Sequence, residues 1–259
     1  MTVADIETLA VTMARHAAAE ITAVARRGYR VDEKSGAHDL VTEADLRAES
    51  VITGLLGRAR PGDAVLAEES GYRAGHTGVT WIIDPLDGTA NFVRSSPHYA
   101  VSVAALSGGD CLGAAIVRPA DGQWMALRGG APDGHVTDPP RPPGDTARVA
   151  VALPYGPEEL DEAHGILRLV GRRYEVSRTG SAACDLLRVA TGALDAHIAV
   201  ALPWWDTAAG HALVRARGGT VLHRRSRRRT RIDISGRPGV VEELARLLAA
   251  HHGVDGGGP

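Results

Sequence analysis

The chain has 259 residues, enough for one large domain or two closely packed ones, and 44% of them are apolar, which suffices for a sizeable core. Its net charge of −2 argues against a general attraction to nucleic acid, and no apolar run is long enough to span a membrane, so we expect neither partner. Two cysteines, Cys111 and Cys184, give no disulfide framework, and the N-terminus lacks a signal-peptide layout; both features favour a cytoplasmic location.

Two amphipathic helices are predicted near the N-terminus. Apolar residues recur at three- and four-residue steps over 4–27, and Gly28 is a suitable stop. A second helix should begin after Thr42, a good N-cap, and run to about Leu56. Asp45 stands three residues after Thr42, as in a weak capping box, and that structural role alone would explain it.

A short strand over 65–67 is predicted to deliver two adjacent carboxylates, Glu68 and Glu69. Neighbouring side chains on a strand point to opposite faces, so only one of the two can face a common site directly. The Gly-rich residues 71–79 are predicted to form a loop. The apolar run Trp81–Ile83 that follows indicates a short buried strand.

The stretch Asp84-Pro85-Leu86-Asp87-Gly88-Thr89 has the features of a metal site beside an anion site. Two carboxylates on one rigid turn repel each other unless a cation lies between them, and all-oxygen ligation suits Mg²⁺ better than zinc. Pro85 prevents a regular ladder, and Gly88 permits unusual backbone geometry. The N–H groups of Gly88 and Thr89, at the start of a short helix, are predicted to face an anion. A metal next to a phosphate cradle is the minimum apparatus for hydrolysing a phosphate ester.

A Pro-rich segment is predicted to divide the chain. Residues 129–146 hold five prolines and four glycines, which favours a loop. We place the boundary there, between an N-terminal α+β subdomain (1–140) with the metal-binding motifs and a C-terminal α/β subdomain (141–259), which together form one catalytic unit. Before the loop, Ala100–Leu106 is almost entirely small and apolar, as expected for a strand in a sheet covered on both faces.

Strands and helices alternate in the second half. We predict strands over 149–153, 174–177, 194–200 and 220–223, and helices over 157–170, 181–190, 207–217 and 238–251. Asp206 stands at the start of the third of these helices, before Ala208-Ala209-Gly210. By itself it reads as an ordinary carboxylate favoured by the helix dipole.

In order and spacing, these motifs resemble those of the inositol monophosphatase family. They are Asp39–Asp45, Glu68-Glu69, Asp84–Thr89 with Asn91-Phe92, and Trp205–Gly210 with Gly218-Gly219. The resemblance implies a layered α-β-α-β-α sandwich of the inositol monophosphatase and fructose-1,6-bisphosphatase type. It also implies a homodimer with Mg²⁺-dependent, lithium-sensitive phosphatase activity on a small phosphorylated substrate.

The resemblance also assigns ligands for two to three Mg²⁺ ions. Glu68, Asp84 and the carbonyl of Leu86 would hold the first ion, and Asp84, Asp87 and Asp206 the second. A third, weaker ion would involve Glu68 and water. Two ions bridged by one carboxylate can lower the pKa of a bound water and neutralise charge on the leaving oxygen.

The family pattern assigns further roles to residues around these ligands. Asp45 and Thr89 would orient and deprotonate the attacking water, and the backbone of Gly88 and Thr89 would bind the phosphate. Lys34 matches a family lysine near the N-terminal loop. The segment that contacts the polyol is matched by Gly180-Ser181-Ala182.

One departure bears on the substrate. Inositol phosphatases place an acidic residue seven positions before the metal-binding aspartate, and this sequence has Ala199 there. Asn91-Phe92 still resembles the inositol branch, so an inositol-1-phosphate-like polyol or sugar phosphate is the favoured substrate. Histidinol phosphate or a specialised metabolite phosphate stays an open alternative.

Two further features bear on the function: a basic run, and the alternative of a protein that binds without catalysis. The basic run Arg224–Arg231 is interpreted as a solvated hairpin between strands, with attraction of an anionic substrate or RNA as the alternative. A non-catalytic binding protein that kept the fold is disfavoured, since it would be free to lose the acidic motifs. The histidines are scattered, and His98, His197 and His211 show no HxxxH metal spacing.

Overall fold

The computed structural model describes residues 2–33, 40–138, 146–154 and 156–252. These residues form five layers. The seven helices of this part of the chain are α1 Val3–Arg27, α2 Glu43–Ala59, α3 Thr89–Val93, α4 Pro157–Val170, α5 Ala182–Thr191, α6 Trp204–Ala216 and α7 Pro238–His252. Its strands are β1 Val31–Glu33, β2 Leu40–Thr42, β3 Ala64–Ala67, β4 Gly71–Arg73, β5 Val79–Asp87, β6 Ala100–Ser107, β7 Asp110–Val117, β8 Trp124–Arg128, β9 Ala131–His135, β10 Arg148–Ala152, β11 Glu175–Ser177, β12 Ala196–Val200, β13 Thr220–Arg225 and β14 Arg231–Gly236.

The larger sheet has seven strands in the order β4-β3-β5-β6-β7-β8-β9. Strand β3 pairs parallel with β5, whereas every other neighbouring pair in this sheet is antiparallel. Helices α1 and α2 cover one face, where Met13, Ile21 and Ile52 are fully buried against Trp81 and Ile83. Strands with apolar residues on both faces need cover on both sides, and β6 is buried along its first six residues.

Helices α5 and α6 form the middle layer, between the larger sheet and a five-stranded sheet of order β11-β10-β12-β14-β13. Gly210 lets α6 approach α5 closely, because a Cβ at this position would lie 2.5 Å from Cβ of Leu186. The other face of the smaller sheet packs on α4 and α7 through Ile198, Ile232 and Ile234. The five layers are therefore helix, sheet, helix, sheet and helix, which confirms the predicted sandwich.

Most predicted elements are confirmed, with changes at the sheet edges. The helix over 4–27 is α1, Thr42 caps α2 in a complete capping box with Asp45, and the helix over 157–170 is α4. The prediction of loops for 71–79 and 129–146 was wrong in part, since β4 and β9 add edge strands there. Both are short, and β9 accommodates Pro132 because an edge strand can spare a ladder donor.

The larger sheet is built from strands that end by His135, and the smaller one from strands that begin at Arg148. Helices α5 and α6 pack against strands of both sheets. The division into subdomains at 140 stays a prediction, and that position lies outside the described residues. Among the helices that the structure describes, none combines the length and apolar character needed to cross a membrane.

Candidate active site

The acidic stretch lies where strand β5 leaves its regular pairing. Strand β5 pairs with β6 in unbroken register from Val79 to Asp84, and the register then shifts before Asp87. Pro85 has no N–H to donate, which favours the irregularity at this point. The Leu86 N–H instead donates to Oδ1 of Asp84 at 3.0 Å, and this bond fixes the buried carboxylate at the end of the strand.

Four carboxylates converge on this end of β5. Glu68 follows β3, the parallel neighbour of β5, and its N–H donates to the carbonyl of Ile83 at 3.1 Å. Burial raises the pKa of Asp84 well above its ordinary value, and the nearby charges of Glu68, Asp87 and Asp206 raise it further. Of the two adjacent glutamates, Glu68 thus belongs to the cluster, while the N–H of Glu69 donates to Oε2 of Glu49 at 2.9 Å.

Asp87 is held by the start of helix α5. Its Oδ2 accepts the Ser181 hydroxyl at 2.5 Å and the Ala183 N–H at 2.6 Å. Ser181 is also the N-cap of α5, because its Oγ accepts the Cys184 N–H at 3.1 Å. Burial raises the pKa of Asp87 to about 7 against the effect of these two donors, and the charges of Glu68 and Asp185 add to the rise.

Asp206 lies in the first turn of α6, where the helix dipole favours a carboxylate. This helix begins at Trp204, three residues earlier than the predicted start at 207. The Ser102 hydroxyl on β6 donates to the Trp205 carbonyl at 3.3 Å and anchors the start of the helix to the larger sheet.

Asp45 and Thr89 form a buried pair across 44 residues of sequence. The Thr89 hydroxyl lies 2.8 Å from Oδ1 of Asp45 and 3.1 Å from the Leu86 carbonyl oxygen. The other oxygen of Asp45 accepts the N–H and the hydroxyl of Thr42, at 2.7 and 2.6 Å. Burial raises the pKa of Asp45 to about 6, although the Thr42 and Thr89 donors oppose the rise. Asp45 therefore combines its capping role with a contact at the candidate site.

Gly88 allows the turn between β5 and α3. It has φ 91° and ψ 38°, and a Cβ there would lie 2.8 Å from the His98 carbonyl oxygen. Side chains other than hydrogen are therefore excluded by conformation and by space. Gly88 is the N-cap of α3, whose first N–H groups, those of Thr89 and Ala90, have no acceptor within the helix.

The donor set fits divalent cations with oxygen ligands. Buried carboxylates that repel one another are destabilised unless a cation lies among them or protons bind to them. The Leu86 carbonyl adds a neutral oxygen next to Thr89. Burial raises the pKa of the Cys184 thiol far above its ordinary value, which disfavours a thiolate ligand at this residue. Oxygen-only ligands of this kind suit Mg²⁺.

A cleft opens beside Asp87 and Asp206, and three of its lining residues come from the predicted substrate segment. It is lined by Asp87, Ala152, Leu153, Arg178, Gly180, Ser181, Ala182, Asp185, Leu202 and Asp206. Arg178 and Asp185 were missed in the sequence, although Arg178 follows the last residue of β11 and could have been noticed as a charge at a strand end. Burial raises the pKa of Asp185 to about 6.

Ala199 lies just behind this cleft. It is 1% exposed and packs in one apolar cluster with Ala182 and Leu202, which themselves line the cleft. Gly180 has φ 90°, and the Asn91 amide closes this region by donating to the carbonyls of His98 and Thr179, at 2.7 and 2.9 Å.

The structure thus brings together the predicted residues from five separate segments. They are Asp45, Glu68, Asp84, Leu86, Asp87, Gly88, Thr89, Gly180, Ser181, Ala182 and Asp206, with Ala199 behind them. Lys34 and the first residue of the Asp39–Asp45 motif lie outside the described residues. The catalytic and ligand roles of these residues stay predictions.

A layered α/β sandwich with a carboxylate-lined cleft at the end of β5 is the class that fold and site define. The family description "Inositol monophosphatase family" matches residues 3–253, so the chain belongs to this family, whose members are metal-dependent phosphatases. The recognition of the family from its motifs is thereby confirmed.

Individual relatives agree with this membership. Nus factor SuhB of Xylella fastidiosa (strain Temecula1) is 35% identical over 221 residues, covering 82% of this chain and 78% of that protein. Extragenic suppressor protein SuhB of Bartonella henselae superimposes with a TM-score of 0.83 at 28% identity, covering 95% of this chain and 99% of that one. Staphylococcal inositol monophosphatase-1, solved as a 100 mM LiCl soaked inhibitory complex, has a TM-score of 0.79 at 20% identity, with 98% of each chain covered, and supports the fold alone.

Proposed function

We propose that this protein is a Mg²⁺-dependent phosphomonoesterase that hydrolyses a small polyol or sugar phosphate, of the inositol-1-phosphate type. The observation that carries the proposal is the convergence of Glu68, Asp84, Asp87 and Asp206 beside the Asp45–Thr89 pair. Phosphate monoesters are hydrolysed very slowly without catalysis, and a site of this charge is organised to hold cations against an anionic substrate.

The proposed ligands follow from the placement of the carboxylates. Glu68, Asp84 and the Leu86 carbonyl would hold one ion. Asp84, Asp87 and Asp206 would hold a second ion, and Glu68 would also contribute to a third. Bound Mg²⁺ would supply an acidified water and positive charge at the leaving oxygen. The Ser181 and Ala183 donors keep Asp87 in one orientation for this role.

Asp45 and Thr89 would handle the proton of the attacking water. Thr89 Oγ1 lies 2.8 Å from Asp45 Oδ1, so the hydroxyl can pass its proton to the carboxylate as it accepts one from water. A pKa of about 6 lets Asp45 stay ionised at neutral pH and still accept a proton during the reaction. The N–H groups of Gly88 and Thr89, at the start of α3, would donate hydrogen bonds to the phosphate oxygens.

The cleft suggests which alcohol is accepted. Arg178 and Asp185 add one charge of each sign to the cleft, whose lining also includes the apolar residues Ala152, Leu153 and Leu202. With Ala199 in place of an acid, the cleft lacks one acceptor for vicinal hydroxyls. Histidinol phosphate and specialised metabolite phosphates are therefore the alternative substrates.

A second candidate function is a binding protein that kept the fold. It is favoured by the name Nus factor SuhB, which several relatives carry. That name is weakly at odds with the prediction of no nucleic-acid partner, which depended on net charge alone. The basic residues of the β13–β14 hairpin, whose tip at Arg227–Arg229 is exposed, are the place to test it by RNA-binding titration.

We further propose that the protein is a homodimer and that it is located in the cytoplasm. Light scattering can test the first point and cell fractionation the second.

Phosphate release tests the proposal directly. The substrates are inositol-1-phosphate, histidinol phosphate, fructose-1,6-bisphosphate and 3′-phosphoadenosine 5′-phosphate, each with chelator, Mg²⁺, Ca²⁺ and Mg²⁺ plus Li⁺. We expect activity with Mg²⁺, little with the larger Ca²⁺, and inhibition by Li⁺. Full activity in excess chelator, or none on any of the four substrates with Mg²⁺, would contradict the proposal.

A matched pair of variants tests the proton path. Thr89→Val keeps the shape of the side chain and removes the hydroxyl, so kcat should fall by about 100-fold, within the usual range for general base catalysis. Thr89→Ser keeps the hydroxyl and should retain most of the activity. Equal activities of the two variants would show that the hydroxyl has no role.

A further inference from the structure

A histidine–aspartate cluster lies on the far side of helix α6 from the larger sheet. It consists of His211 on α6, His223 on β13 and Asp233 on β14. His223 and Asp233 are directly opposite each other in the antiparallel pair β13–β14. Since Ile232 and Ile234 face α4 and α7, alternation along β14 turns Asp233 toward α6.

The three side chains have the geometry of a metal site. Each offers one ligand atom, and the three atoms lie within 4.8 Å of one another. His223 Nδ1 is 2.9 Å from Asp233 Oδ1, and the rings of His211 and His223 have centroids 5.6 Å apart. A tetrahedral zinc ion with bonds of about 2.0–2.2 Å holds its ligand atoms about 3.4 Å apart, so only small side-chain movements are needed.

His211 needs a partner that the described part of the chain does not supply. Its side chain is buried, with 2% exposure, and neither ring nitrogen has a hydrogen-bond partner among the described residues. Leaving a buried polar group without a hydrogen bond destabilises the folded state. Burial lowers the pKa of His211 to about 3, so the ring is neutral and has a lone pair to donate.

Neighbouring arginines determine which ring nitrogen of His223 carries the proton and which oxygen of Asp233 faces that ring. Arg215 Nη2 lies 3.3 Å from His223 Nε2, and an arginine can only donate, so Nε2 accepts and Nδ1 carries the proton. That proton faces Asp233 Oδ1. Arg231 Nε lies 3.2 Å from Asp233 Oδ2, which leaves the other oxygen of this carboxylate to His223. A cation bound at Nδ1 would therefore require the neutral ring to carry its proton on Nε2 instead, with the exposed Arg215 side chain moved away from that nitrogen.

We infer that a divalent cation such as Zn²⁺ binds to His211, His223 and Asp233 and so connects helix α6 to the β13–β14 hairpin. Two imidazoles and one carboxylate suit Zn²⁺ or Co²⁺, whereas Mg²⁺ prefers oxygen ligands alone. The His223 side chain is 40% exposed, so the cation can enter from solvent and a water can complete its coordination. The site is separate from the proposed catalytic carboxylates and does not depend on phosphatase activity.

Co²⁺ titration of chelator-treated protein, in a millimolar excess of Mg²⁺, tests the site through visible absorption. We expect one Co²⁺ per chain, displaced by Zn²⁺, which nitrogen and oxygen ligands of this kind bind more tightly. His223→Gln should weaken binding by at least about 100-fold, since even indirect supports of a metal ligand contribute 10–100-fold. The exposed side chain of His223 makes this substitution tolerable for folding.

Two controls separate the site from other metal binding. His164→Gln makes the same change at an exposed position of α4 and should leave binding unchanged. Asp87→Asn alters the proposed catalytic ligands and should also leave it unchanged. Thermal unfolding gives an independent signal, because Zn²⁺ should raise the Tm of the wild type and of both controls but not of His223→Gln.

Three results would overturn the inference. They are equal Co²⁺ affinity of His223→Gln and the wild type, loss of the Co²⁺ signal in Asp87→Asn, and no Co²⁺ bound by the wild type in excess Mg²⁺. The second result would assign the ion to the carboxylate cleft instead.

Discussion

Asp87→Asn separates the stability of the candidate site from its proposed activity. Both hydrogen bonds to Asp87 go to one oxygen, Oδ2, which receives the Ser181 hydroxyl and the Ala183 N–H. Asparagine can place its single carbonyl oxygen there and keep both bonds. Its NH₂ group then replaces Oδ1 and removes one negative charge from the neighbourhood of Glu68 and Asp84.

The expected magnitude comes from the pKa of Asp87 without metal. In the folded protein this pKa is raised to about 7 from its ordinary value of 3.8. Between these two values the folded state holds a proton that the unfolded state has released, so the stability contributed by this proton is lost as pH rises through 7. From pH 5 to pH 9 the wild type should lose about 3 kcal/mol relative to Asp87→Asn, which does not titrate.

Urea unfolding in chelator at pH 5, 7 and 9 measures this difference for the wild type and the variant. Asp161→Asn, at an exposed position of α4, is the matched control and should show no pH-dependent difference. Added Mg²⁺ should stabilise the wild type far more than Asp87→Asn, because only the native state binds the ion. Phosphatase kcat should fall by about 100-fold or more in the variant, since metal ions supply several kcal/mol of charge stabilisation. Identical pH dependence of the wild type and Asp87→Asn would refute the reasoning.

Three further expectations concern the surroundings of the site. Gly88→Ala should lower the free energy of unfolding in urea by about 2 kcal/mol or more, because the new Cβ would lie 2.8 Å from a carbonyl oxygen. Gly78→Ala is the control: this glycine also has a positive φ, 81°, but has open space around it, so the loss should be smaller. Equal losses in the two variants would contradict the close contact at Gly88. Burial raises the pKa of Asp185 to about 6, so the free energy of unfolding of the wild type should rise by about 1–2 kcal/mol relative to that of Asp185→Asn as pH falls from 8 to 5. A difference that does not change with pH would contradict this. Ala199→Glu should lower the Tm, because the new carboxylate starts from a buried position beside Ala182 and Leu202; where its oxygens reach the cleft, kcat/KM for inositol-1-phosphate should rise by about ten- to a hundred-fold and that for p-nitrophenyl phosphate should stay nearly unchanged, while equal changes on both would show that position 199 does not reach the alcohol side.

Local patterns were sufficient for the helices and for the core of the family motif. The apolar periodicity of α1, the Thr42 cap of α2 and the bounds of α4 depend on residues within a few positions of one another. The irregularity after Asp84 was also predictable, because proline cannot donate to a ladder whatever its neighbours are.

Edge strands could not be predicted in the same way. Strands β4 and β9 have little apolar alternation, and their residues are mostly exposed. They are ordered by hydrogen bonds to β3 and β8, and such bonds depend on which strand lies next to them in the sheet. The Pro- and Gly-rich composition of 129–146 therefore favoured a loop where an edge strand exists.

What the sequence determined by itself was the set of chemical groups: an ordered series of carboxylates, a Gly-Thr turn and an Ala in place of an acid. The tertiary structure decided which of these groups meet. Thr89 reaches Asp45 across 44 residues, and Ser181 reaches Asp87 across 94. His211, with no local metal spacing, meets His223 and Asp233 only because the register of β13 and β14 places them beneath α6. Side-chain proximity across a fold depends on strand order and packing, which local periodicity does not encode.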